Sequence, residues 1–80
     1  MKAEQILDRE FLGMRAKILE VAASMDRMDR ADGSVDSDPR VALISQAVDI
    51  LSSSEPKKAE RLQMLFSREY DENWKQTFWN

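Results

Sequence analysis

The sequence contains neither cysteine nor histidine. The lack of cysteine excludes disulfide bonds and thiol redox chemistry, and the lack of both residues excludes the usual structural zinc sites. Glycine and proline occur only twice each, which is typical of long helices and not of sheets joined by many turns. A chain of 80 residues without these supports depends on tight helix packing, on self-association, or on both.

The sequence also lacks a long apolar run. Its apolar stretches fall far short of the roughly 20 residues that cross a bilayer, and its first residues include charged side chains and no apolar signal core. We therefore expect no membrane association and a cytoplasmic location. The formal net charge of −3 is spread evenly along the chain, so neither half has the basic surplus that binds phosphate backbones.

No catalytic or metal-binding pattern is present. Nucleophilic catalysis needs a base beside the nucleophile, and the serines occupy positions typical of caps, turns and solvated helix faces. The acidic segment 29–38 resembles a calcium loop only around Gly33, since that register places Met28, Arg30 and Pro39 where acidic ligands are required. We predict no enzyme activity, no cofactor and no metal site.

The first third of the chain carries the clearest pattern, because its apolar residues alternate spacings of four and three over three heptads. This predicts a helix over approximately residues 4–30, with Asp8 as an alternative N-cap. Leu12, Leu19 and Ala22 widen the apolar arc beyond the seam of a two-stranded coiled coil, which favours a bundle helix with two neighbours. The apolar pattern consists of Leu7, Phe11, Met14, Ile18, Val21, Met25 and Met28.

Two further helices are predicted after this one. Asp38 is a favoured N-cap and Pro39 a favoured first helical residue, so a short helix is expected over 39–52. Pro56 predicts the start of a third helix, over 56–70 or longer. The expected fold is all-α, a small three-helix bundle of up-down-up arrangement in one domain covering 1–80. The second helix is too short to cover the first, so the third helix or a second subunit is expected to cover the remainder.

Aromatic residues are concentrated at the C-terminus, where five of the six lie in the last fifteen positions. Their spacing of four favours an amphipathic helix that presents anchors to a groove, and tryptophan and tyrosine are enriched in binding hot spots. Alternatively, Phe66, Tyr70 and Trp74 pack on the methionine-bearing face of the first helix. The predicted partner-binding residues are Tyr70, Trp74, Phe78, Trp79, Met25 and Met28.

These features predict a non-enzymatic helical protein-interaction module, which either forms a homodimer or acts as an adaptor for another protein. The alternative is a small regulator that binds DNA or RNA through a basic face of the third helix. That face consists of Lys57, Lys58, Arg61 and Arg68, and it is interrupted by glutamates. Because of this interruption, nucleic acid is the less expected partner.

Overall fold

The computed structural model describes residues 1–69. It contains three helices, α1 (Ala3–Arg30), α2 (Pro39–Ser52) and α3 (Lys58–Glu69), and no strand within the described residues. The predicted all-α class is confirmed, together with the long first and short second helix. The chain divides into two compact units: Met1–Val35 holds α1, and the unit from Asp36 onward holds α2 and α3.

Helix α1 begins at Ala3 because Lys2 and Gln5 satisfy backbone groups at its N-terminus. The Lys2 backbone N–H donates to Gln5 Oε1 at 2.8 Å, and the Gln5 backbone N–H donates to the Lys2 carbonyl at 3.0 Å. This places the alternative N-cap, Asp8, inside the helix. At the other end, Ala31 is extended (φ −78°, ψ 161°) and its N–H donates to the Met28 carbonyl.

The connection after α1 contains a glycine in a left-handed backbone conformation. Gly33 has a φ of +84°, a left-handed conformation that costs glycine little because it has no Cβ. Glycine is favoured just beyond the end of a helix for this reason. Gly33 lies three residues after Arg30, the last residue of α1.

Helix α2 starts as predicted, at Pro39 behind the N-cap Asp38. Asp38 Oδ1 accepts from the Arg40 backbone N–H at 2.9 Å, and the Arg40 guanidinium binds both carboxylate oxygens, at 3.1 and 2.8 Å. The hydrogen bond from the Arg40 side chain, followed by that from its backbone, lowers the pKa of Asp38. This cluster fixes the start of α2.

The core of the second unit lies between α2 and α3, which are in contact with each other. Leu43 is only 4% exposed, the sole buried residue among those described. The sequence of α2 contains two apolar stripes, and the one with Leu43, Ala47 and Ile50 is buried or half-buried. On the other stripe, Val48 and Leu51 are exposed, because α3 covers α2 from one side.

Ser53 links the end of α2 to α3. Its hydroxyl donates to the Ile50 carbonyl at 2.8 Å and accepts from Arg61 Nη1 at 3.2 Å. One hydroxyl therefore satisfies a carbonyl in the last turn of α2 and holds a cation of α3.

Helix α3 begins at Lys58, two residues later than Pro56 predicts. Lys57 has a φ of +61°, in the left-handed region that an L-residue does not adopt within a helix. Its carbonyl accepts the first helical hydrogen bond, from the Arg61 N–H at 3.0 Å. Among the apolar residues of α3, Leu62 and Leu65 are half-buried, whereas Ala59 and Phe66 are exposed.

Candidate protein-interaction surface

The most distinctive surface of the molecule is an apolar seam along α1, which we call the α1 stripe. No residue of α1 is buried, and the stripe side chains are between 39% and 64% exposed in the single chain. Sequence analysis expects this seam to be covered, and none of its side chains is buried. The α1 stripe comprises Leu7, Phe11, Met14, Ile18, Val21, Met25 and Met28.

The continuity of the α1 stripe makes its exposure meaningful. A helix rises 1.5 Å per residue, so the seam from Leu7 to Met28 runs for roughly 30 Å. Isolated apolar side chains are normal on a protein surface, but a contiguous apolar patch marks an interaction site. The stripe therefore has the length and character of a surface that packs against another helix.

The stripe follows a heptad repeat, which defines the charged positions beside it. With Phe11, Ile18 and Met25 at position a, the remaining stripe residues occupy position d. The e positions along one edge are Asp8, Arg15, Ala22 and Asp29, and the g positions along the other edge include Glu10, Lys17 and Ser24. Sequence analysis missed these flanking residues, although the heptad spacing alone assigns them.

The charged side chains beside the stripe are exposed, so their ion pairs can be exchanged with little loss of stability. Arg9 Nη2 lies 3.3 Å from Glu10 Oε2, and both side chains are more than half exposed. Exposed ion pairs of this kind contribute little to stability. Glu10 can therefore exchange Arg9 for a cation on a second helix without a large penalty.

Two further leucines lie beside the seam and not on it. Leu12 and Leu19 occupy position b, and they are 73% and 52% exposed. They widen the apolar arc as the sequence predicts. Because Leu19 follows Ile18 in sequence, has the same number of atoms and has a similar exposure, it provides a matched control for experiments on the stripe.

Two of the predicted partner-binding residues belong to the α1 stripe. Met25 and Met28 form its C-terminal end, and each is 39% exposed. Methionine is flexible and polarizable, and it adapts well to a packed partner. The other four predicted residues, Tyr70, Trp74, Phe78 and Trp79, lie outside the described residues.

The basic residues of the nucleic-acid alternative do not form a continuous helical face. Lys57 precedes α3, Lys58 Nζ donates to the Glu55 carbonyl at 2.7 Å, and Arg61 is bound to Ser53. The side chain of Arg68 lies outside the described part of the chain. Lys58 and Arg61 therefore stabilise the turn between α2 and α3 through these contacts.

A shallow cleft lies between α2 and α3. Ile50, Arg61, Met64 and Leu65 line it, and its one charged side chain is held by Ser53. Within residues 1–69, no group of three or more acidic, histidine or cysteine side chains is placed to hold a metal.

Comparisons with known proteins do not identify the chain. No protein-family model, no curated protein and no solved structure matches it. None of the helices in the described part of the chain combines the length and apolar content needed to cross a membrane.

Proposed function

We propose that the protein is a non-enzymatic interaction module whose binding surface is the α1 stripe. The observation that carries this proposal is the exposure of seven apolar side chains in one continuous helical seam. Burying such a seam removes apolar area from water, which is the main favourable term in protein association. A surface of this shape fits an amphipathic helix whose own apolar residues repeat every three or four positions.

The proposal is tested by placing a charge in the seam and, in a control, beside it. Ile18→Asp puts a carboxylate in the middle of the stripe, whereas Leu19→Asp puts the same group on the adjacent position outside it. Ile18 and Leu19 are 64% and 52% exposed, so the two changes make similar demands on the helix itself. Only the Ile18 change places a charge where a partner helix would remove it from water.

Two measurements report the result. Light scattering after gel filtration, over a range of protein concentrations, measures self-association, and affinity capture from an extract of the native host measures binding to other proteins. We expect Ile18→Asp to abolish the interaction and Leu19→Asp to retain it. A wild-type chain that stays monomeric and captures nothing, or equal losses in both variants, would contradict the proposal.

A further inference from the structure

The charges beside the α1 stripe specify a partner and an orientation. We propose that the stripe binds a second copy of this chain, with the two α1 helices parallel and in register. This inference rests on the proposed function, because it takes the α1 stripe as the binding surface. It adds the identity of the partner and the direction of the partner helix.

A parallel, in-register pair covers the whole stripe. In this arrangement each a or d residue meets the same residue of the second helix. Phe11 faces Phe11 of the partner subunit, and the same holds at every level from Leu7 to Met28. All seven exposed side chains of both copies are then removed from water.

The flanking charges complement each other in the same arrangement. In a parallel pair, each g residue lies beside the e residue five positions later on the other helix. Glu10 therefore lies beside Arg15 of the partner subunit, and the twofold symmetry produces this ion pair twice. Lys17 meets an alanine and Ser24 meets an aspartate, so no like charges meet along residues 7–28. The like-charged layer of the parallel pair is at the exposed start of α1, where Glu4 meets the partner's Glu4.

Antiparallel pairs that cover most of the stripe bring like charges together. Two antiparallel registers keep six of the seven stripe residues in contact, and in antiparallel pairs g residues face g and e residues face e. In the register centred on Ala16, Lys17 faces the partner's Lys17 and Arg15 faces the partner's Arg15. In the register centred between Leu19 and Glu20, Asp8 faces the partner's Asp29.

A third antiparallel register has complementary charges but covers too little of the stripe. Centred between Leu12 and Gly13, it pairs Glu10 with the partner's Lys17 and Asp8 with the partner's Arg15. It leaves uncovered the last three stripe residues, Val21, Met25 and Met28. Burying a large apolar side chain contributes more than an exposed ion pair does, so the parallel register is favoured.

A charge exchange tests the predicted ion pair. Glu10→Lys and Arg15→Glu each replace two attractive contacts by two repulsive ones, and we expect each to raise the dimer Kd about tenfold. The double variant restores opposite charges, and we expect its Kd to return to within about threefold of wild type. In the third antiparallel register the double variant would instead face Lys17 and Asp8 with like charges and would not recover. Sedimentation equilibrium measures each Kd.

Glu20→Lys is the matched control for this series. Glu20 occupies position c on the far side of α1, and the substitution changes the net charge by the same amount as Glu10→Lys. We expect its Kd to stay within about twofold of wild type. A Glu20→Lys effect equal to that of Glu10→Lys, or no recovery in the double variant, would overturn the inference.

The orientation is tested independently by disulfide formation, since the chain has no cysteine of its own. Glu4 occupies the a position one layer before Leu7, so Glu4→Cys brings two thiols together in the parallel pair and separates them in every antiparallel register above. Arg9→Cys lies on the outer face and is the control. We expect a covalent dimer in a glutathione redox buffer for Glu4→Cys only.

The outcomes separate this inference from the proposed function. A chain that stays monomeric up to millimolar concentration but binds another protein through Ile18 would reject self-pairing and retain the proposed function. Equal cross-linking at positions 4 and 9 would reject the parallel orientation. Circular dichroism of each variant, compared with wild type at a concentration where both are monomeric, shows whether a loss of pairing reflects a loss of helix.

Discussion

Replacement of Leu43 by alanine should unfold the α2–α3 unit, because Leu43 is the one buried residue in the described part of the chain. The substitution removes three carbon atoms, worth about 0.8 kcal/mol each. The cavity that remains raises the total cost to about 3 kcal/mol, within the range observed for buried leucines. A small domain is stable by only a few kcal/mol in total. This substitution therefore removes most of the free energy of unfolding.

Amide hydrogen exchange measured by NMR is the appropriate assay, because it reports on α2 and α3 separately from α1. We expect the amides of α2 to lose most of their protection in Leu43→Ala. Val48→Ala is the control on the same helix, since Val48 is already 45% exposed and its truncation should cost about 0.5 kcal/mol. If both variants lost protection equally, Leu43 would not be the centre of a core and the reasoning would be refuted.

Two further predictions concern the helices themselves. Gly13→Ala should stabilise α1 by about 1 kcal/mol, since an added Cβ meets no atom within 4 Å; thermal melting followed by circular dichroism measures this gain, and an unchanged melting temperature would contradict it. Asp38→Asn should weaken α2 at neutral pH, because it keeps a capping oxygen but loses the charge that binds Arg40. Folding lowers the pKa of Asp38, so its contribution to stability is present above the ordinary carboxyl pKa, about 4, and is lost as pH falls through the lowered value. The difference between wild type and Asp38→Asn should therefore shrink below about pH 4, and a difference independent of pH would exclude this role.

Local signals in the sequence predict the helices and most of their ends. The spacing of the α1 stripe predicts a long helix because the 3.6-residue period depends only on neighbouring residues. Asp38 and Pro39 predict the start of α2 because a cap is made within one turn. These features require no knowledge of how helices pack.

The remaining features depend on contacts between helices. Both apolar stripes of α2 look suitable for burial, and the position of α3 decides that Leu43 faces inward while Val48 does not. The left-handed Lys57 that delays α3 is set by the turn between α2 and α3, and no residue preference predicts it for a lysine. Likewise, the heptad pattern shows that one face of α1 requires cover without identifying what supplies it.

The short turn between α2 and α3 has a consequence for the order of assembly. Only residues 53–57 separate the two helices, and closing a loop of this length takes well under a microsecond. Contacts close in sequence form quickly, whereas pairing of two separate chains depends on how often they meet. If α1 pairs as proposed, the hairpin of α2 and α3 forms at a rate independent of protein concentration, and the coiling of two α1 helices becomes faster as the concentration rises.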